Sequence, residues 1–264
     1  MKYVRIIQNY VDNSRVLTLT GCKAVNTEGG SDKMPIDAYD TLAGLSYEEG
    51  KNEADYTIMI EENGDMIPYY VLTDNYNGSR SCLLLRKNLL QEDIPYCTDE
   101  YPNVYYDGCY VNHYLNSEFA NRFTPEFLKL VEETDVPFTG SEGLTAKDHK
   151  IDTLKARFFI LSKYEVEGTS STIFKAEGEE LDYFDDRKNL LAAKDSDESR
   201  YASWWLRTVC LMDESVISAV ADDTAVGIVG IYGPMGAYLK GVRPAFCVAA
   251  DSAVEKNNGM YYIK

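Results

Sequence analysis

A chain of 264 residues with 45% hydrophobic and 12% aromatic content has enough apolar side chains for a packed core, which excludes a disordered protein. Lys and Arg number 26 against 43 Asp and Glu, and the resulting net charge of −17 argues against nucleic acid or an anionic membrane surface as partner. Six scattered cysteines form no C-x-x-C pair and no apolar run approaches membrane-spanning length, so free buried thiols are expected, without a disulfide framework, a zinc site or membrane insertion.

The opening MKYVRIIQNYVDNSR has no basic region followed by an apolar stretch and a small-residue cleavage site, so no secretory signal is expected. VRIIQNYV and RVLTLT read as short strands around DNS, followed by polar TEGGSDKMP. Residues 1–41 are therefore expected to form an N-terminal β arm that attaches the protein to a larger assembly. A compact domain is expected over 42–250, with 251–264 as a C-terminal tail. YTIMI and MIPYYVL are strand-like and flank Asn63-Gly64, a hairpin signal, and Asn77-Gly78 repeats that signal ahead of SCLLLRKNLL. Val111, Tyr114, Leu115 and Phe119 recur at helical spacing. Thr124 and Pro125 are a cap and a first helical position, from which a second helix is expected to run through FLKLVEE. ARFFILS reads as a buried strand, and GEELDYFDDRKNLLAAK, acidic early and basic late, as a helix. ASWWLRTVCL, SVISAVA, AVGIVGIY and GVRPAFCVAA follow as β-type runs. Strands, helices and strands again, without βαβ alternation, predict an α+β fold with a mostly antiparallel sheet.

Few of these segments suggest chemistry. His113 in a helix and His149 in the loop AKDHK have no nucleophile at motif spacing, and G-x-S-x-G is absent. Adjacent acids such as Asp185-Asp186 arise readily in so acidic a chain and do not make a glycosidase pair. Asp195-Ser-Asp197-Glu-Ser199 imitates a calcium loop but has Arg200 where the turn glycine belongs, so a solvated turn is expected. Gly227, Gly230, Gly233 and Gly236 lie three apart, matching neither a P-loop nor a dinucleotide fingerprint. They allow either an irregular hairpin or an exposed loop presenting Tyr232, Pro234, Met235 and Tyr238 as ligand contacts. The 21 tyrosines against 9 phenylalanines likewise fit either a Tyr-rich sheet or a Tyr-rich binding face.

The only tryptophans, Trp204 and Trp205, are adjacent in ASWWLRT. On a strand they point to opposite faces, Trp204 with Leu206 and Trp205 with Arg207. GVRPAF echoes this with Arg243 among apolar residues, and Pro244 marks an edge or bulge. Arg207 and Arg243 are expected to be scaffold arginines bonded to carbonyls or carboxylates.

IPYYVLTDNYNGSRSCLLLRK, VNHYLNSEF, FFILSKYEV, SWWLRT and GVRPAF occur in that order. Together they resemble an uncharacterised domain family of gut bacteria and their phages, whose members read "LLRK … WLN..F … FLLS..E … WWLRS … GVRPA". That family is similar to C-type-lectin-like domains, including the variable proteins of diversity-generating retroelements and the formylglycine-generating enzymes. The resemblance implies a lectin-like α+β fold with two or three helices. It makes Trp204, Trp205, Leu206, Arg207, Gly241, Arg243 and Pro244 scaffold, with ligand contacts between Thr208 and Lys240. Thr208 and Val209 replace the usual Ser-Pro, and the calcium-dependent sugar signature of true lectins is missing.

The function this implies is a non-enzymatic, calcium-independent binding module that uses no cofactor. It would be a virion adhesin made in the cytoplasm that recognises a host cell-surface protein or glycan. Residues 1–41 would join other virion or assembly subunits, and a homo-oligomer is compatible. The alternatives are a structural virion component, such as a capsid decoration or tail protein, and an oxidase of the formylglycine-generating type or a glycan hydrolase.

Overall fold

A computed structural model describes residues 39–212, 216–230 and 239–264. The expected β arm, but for its last three residues, and the loop residues Tyr232, Pro234, Met235 and Tyr238 lie outside the described residues.

The fold is α+β and mostly sheet. Its strands are β1 (Thr57–Glu62), β2 (Asp65–Thr73), β3 (Ser81–Arg86), β4 (Ile94–Pro95), β5 (Thr134–Thr139), β6 (Ile151–Ala156), β7 (Phe158–Phe159) and β8 (Ala193–Lys194). The rest are β9 (Asp197–Tyr201), β10 (Trp204–Val209), β11 (Val216–Val220), β12 (Val226–Gly230), β13 (Leu239–Lys240), β14 (Ala245–Ala249), β15 (Val254–Asn257) and β16 (Met260–Ile263). Seven of them form one sheet in the order β15-β16-β1-β2-β3-β14-β7. Every pairing in it is antiparallel except β1 with β16. β10-β11-β12 form a second, antiparallel sheet. Residues 251–264, expected as a tail, thus contribute two strands to the main sheet.

The turn between β1 and β2 follows from its sequence. Asn63 and Gly64 have φ of 52° and 90°, the doubly positive pair that a two-residue hairpin needs to match strand twist. β3 reads SCLLLR and is buried at every position, as a strand covered on both faces must be. Phe119, Phe123, Phe127, Phe158 and Phe246 form one cluster, with ring centroids 5.1–6.2 Å apart. Another cluster is made of tyrosines: Tyr47, Tyr56, Tyr70 and Tyr183, with centroids 5.2–6.1 Å apart. Much of the tyrosine excess is therefore core. Two of the buried phenol groups are bonded inside the core: Tyr76 donates to Glu165 at 2.6 Å and Tyr96 to the Arg207 carbonyl at 3.2 Å.

Helices are few and short. α1 (Tyr110–Tyr114) continues as a π-turn over Leu115–Phe119 and a 3₁₀ turn over Ala120–Arg122. α2 (Pro125–Leu128) is capped by Thr124, whose hydroxyl accepts from the Phe127 amide at 3.2 Å. It stops after one turn instead of running through FLKLVEE, because Val131 bridges Val248 and draws the chain onto β14. α3 (Lys163–Glu167) carries a full capping box between Ser162 and Glu165.

The expected helix across GEELDYFDDRKNLLAAK is a correction. That stretch holds two 3₁₀ turns, Asp182–Phe184 and Arg187–Leu190, and then β8. Tyr183, Phe184 and Leu190 are all buried, and Asn189 Nδ2 ties back to the Tyr183 carbonyl at 2.5 Å. Tertiary burial of adjacent aromatics outweighed the weak helical charge pattern.

Candidate functional site

Three buried arginines hold the frame around β10. Arg207 uses all five of its N–H donors. Nη1 and Nη2 reach the Glu165 carboxylate at 2.8 and 2.7 Å, and the remaining donors meet the carbonyls of Pro137 at 2.8 Å, Ile160 at 2.8 Å and Glu177 at 3.2 Å. Glu165 is held in turn by its capping box and by Tyr76. Beside it Glu177 accepts from the Thr139 amide at 2.8 Å, the Thr139 hydroxyl at 2.6 Å and the Thr208 hydroxyl at 2.5 Å. Burial raises the Glu177 carboxyl above its ordinary range, against the charge of Arg207 and the threonine hydrogen bonds. Gly178 makes this packing possible: its φ is +94°, and a Cβ there would lie 2.4 Å from Glu165 Oε1.

Arg243 donates to the carbonyls of Arg86 at 2.9 Å and Asn189 at 3.2 Å, and its guanidinium lies 5.5 Å from the Trp204 ring. Arg86 lies between two carboxylates. It meets Glu62 of β1 at 2.8 Å and both oxygens of Asp195 at 2.9 and 2.8 Å. Both tryptophans are fully buried. Trp204 Nε1 donates to the Leu190 carbonyl at 3.0 Å and Trp205 Nε1 to the Ile94 carbonyl at 2.8 Å.

These contacts close the base of a long excursion of the chain. The Trp205 amide donates to the Gly241 carbonyl and the Gly241 amide to the Ser203 carbonyl, both at 3.0 Å. The chain thus runs through the frame along β10 and the buried Ile217, Ala219 and Val220 of β11, and is back at the start of β10 at Gly241. A Cβ on Gly241 would fall 2.5 Å from Leu89 Cδ1, so the return is tightly packed.

A polar cleft of about 420 Å³ borders this base, lined by Asp93, Lys194, Asp197, Arg200, Tyr201 and Asp222 among others. Its walls come from distant parts of the sequence. Arg86 tethers Asp195 in the β8–β9 turn, Lys194 pairs with Asp93 at 2.9 Å, and Lys240 donates to the Ser203 hydroxyl at 2.9 Å. Burial lowers the Lys240 pKa, opposed by Asp222 and Asp93. Tyr201 is 47% exposed and gives the cleft an aromatic edge. The DSDES run is a hairpin turn anchored through Asp195. Among the described residues no group of three or more His, Cys, Asp or Glu could hold a metal ion.

Trp204, Trp205, Arg207 and Arg243 thus converge on the frame, while the expected contact residues Tyr232, Pro234, Met235 and Tyr238 lie outside the described residues. His149 is a loop residue but a buried one, with Nδ1 2.8 Å from the Gly140 carbonyl. Cys82, Cys97, Cys109, Cys210 and Cys247 are buried and free. Burial pushes Cys97 up to about 11 and Cys82 and Cys109 up to about 12, so these three stay thiols at neutral pH. Reading the sequence missed Arg86, Glu165, Glu177 and the cleft. Arg86 had a usable signal, since LLLRK places a charge inside an apolar run just as WWLRT does.

A family model described as a domain of unknown function (DUF6273) matches residues 79–250. No curated protein and no solved structure matches the chain. The matched span contains all three arginines, both tryptophans and the cleft. It leaves out β15, β16, β1 and β2, which are contiguous in the main sheet.

Proposed function

The chain belongs to the DUF6273 family of domains of unknown function, and from that premise we propose that it is a non-enzymatic binding and display module with a C-type-lectin-like architecture. One observation carries this reading: Ser203 and Trp205 bond to Gly241 and so bring together the two ends of the segment between them, beside Arg207, whose five donors are all taken up by the protein itself. A frame so fully satisfied tolerates change in the segment it closes, as a display scaffold requires. The ligand is a host cell-surface protein or glycan, met by the cleft at Tyr201 and by Tyr232, Pro234, Met235 and Tyr238. Binding needs no calcium. The protein is a virion adhesin assembled in the cytoplasm, and residues 1–41 join it to other virion subunits.

The test is saturable binding of the purified protein to gut bacterial cells, with and without EDTA. It is paired with a variant in which Gly-Ser sequence replaces residues 231–238 and with Tyr201→Ala. Binding that survives EDTA and falls at least tenfold in both variants is the expected result. Undiminished binding by both variants removes Tyr201 and residues 231–238 from the recognition of the ligand. No binding to any cell, with stable incorporation into particles, assigns the protein a structural place in the virion.

A further inference from the structure

A second groove, of about 570 Å³, lies between the loop before α1, the helical run that starts with α1, and the end of β6. We propose that it is a binding site for an uncharged pyranose, separate from the cleft beside the frame.

Its wall is an aromatic plate. The rings of Tyr101 and His113 stack with centroids 4.3 Å apart and planes 22° apart, and Tyr101 Oη lies 3.1 Å from His113 Nε2. Tyr110 flanks them at 5.9 and 6.4 Å. Tyr101 is fixed further by its loop, because its amide donates to Thr98 Oγ1 at 3.2 Å and its carbonyl accepts from the Thr98 amide at 3.1 Å. His113 is exposed, so the plate is a surface feature and not an outlying part of the core.

The floor is equally fixed. Asn116 sits in the π-turn, an insertion often found at functional sites. Its Oδ1 accepts from the amides of Arg157 and Phe158, both at 3.1 Å, and its Nδ2 donates to the Phe158 carbonyl at 2.9 Å. This clamp sets the backbone of Arg157 against the helical run. Such preorganisation lowers the ordering cost of binding.

The rim determines the ligand class. Arg157, Asp107 and Glu133 line the groove, and among the described residues their side chains make no hydrogen bond or ion pair. Lys155 is held by Asp135 at 2.8 Å. Donors and acceptors therefore surround an aromatic plate. A pyranose matches this set: one face is C–H and packs on the negative faces of aromatic rings, while each hydroxyl both donates and accepts. The acids Asp107 and Glu133 are balanced in the lining by Lys155 and Arg157, so the groove carries no net formal charge and suits an uncharged ligand, while the chain as a whole, at −17, disfavours an anion.

The experiment is an NMR titration of the full-length protein with galactose, glucose, mannose and N-acetylglucosamine, and with glucuronate, following the ring protons of Tyr101 and His113. At least one neutral sugar is expected to give saturable shifts with a Kd on the order of 1 mM, tighter than glucuronate, as suits a ligand of so few atoms. Tyr101→Ala and Arg157→Ala should each weaken it at least fivefold. Arg157 is exposed, so its variant should keep the wild-type thermal midpoint. Absence of saturable shifts with every neutral sugar, tighter binding of glucuronate, or unchanged affinity in both variants overturns the proposal. The titration reads groove residues directly, so its outcome is independent of whether the protein binds cells.

Discussion

Arg207 and Arg86 are both almost completely buried and both hold carboxylates in short, paired contacts, but their partners differ. Glu165 is as deeply buried as Arg207, whereas Asp195, opposite Arg86, is 36% exposed. The Arg207 centre is closed, and all its donors end on groups inside the family-matched span. The Arg86 centre is a seam. It joins Glu62 on β1, outside that span, to the hairpin that walls the cleft. The closed centre fixes the frame from which the excursion departs, while the open one fixes a wall that faces solvent. Buried charge thus serves rigidity in one place and attachment in the other, and the cost of losing it should differ accordingly.

The largest effect is expected at the closed centre. Arg207→Met leaves Glu165 buried without its cation and takes a donor from each of three carbonyls, of which Glu177 keeps the Ser162 hydroxyl, and should cost about 3–5 kcal/mol. Urea unfolding measures it, and failure to fold at 37 °C is the extreme form of the same result. A loss below about 1 kcal/mol would mean that the two centres do not differ as described. At the seam, Asp195→Ala leaves Arg86 with Glu62 and the carbonyls of Asn88 and Leu89. With one partner partly solvated, the cost should be about 1 kcal/mol and should shrink with added salt. Faster amide exchange should appear in residues 193–201 and not in β10. Exchange that quickens equally in both would merge the two centres into one.

How much of this was legible in the sequence depends on distance along the chain. The β1–β2 hairpin was readable because Asn63-Gly64 is local chemistry, and Arg207 and Arg243 were readable because each interrupts an apolar run. Their partners were not. Glu165 is one of 43 acidic residues, and only the fold brings it to Arg207, although Ser162-x-x-Glu165 did carry the signature of a helix start. The cleft was invisible for the same reason, since Asp93, Lys194 and Asp222 lie on separate elements that only the topology brings together. The segment around Tyr183 misled because its charges suited a helix, while its side chains had partners in the tyrosine cluster.

The smallest effect sharpens the comparison inside the closed centre itself, where Glu165 has a cation and Glu177 has only hydroxyls, an amide and the more distant field of Arg207. Burial holds the Glu177 carboxyl above its unfolded value near 4.5. Below that value both states carry the proton and the buried group costs nothing extra. As pH rises, the unfolded chain releases its proton first while the folded chain keeps it. Folded protein then binds more protons than unfolded, and stability falls with pH until the folded carboxyl ionises. Glu177→Gln stays neutral at every pH and keeps an oxygen for Thr139, so it lacks this slope. The stability of wild type minus that of Glu177→Gln, from urea midpoints between about pH 4 and pH 8, should therefore decline with pH and then level off. Taking the difference cancels other carboxylates, including Glu53, whose lowered pKa acts with the opposite sign. A difference that rises with pH would mean that the folded surroundings of Glu177 favour its carboxylate over its acid form.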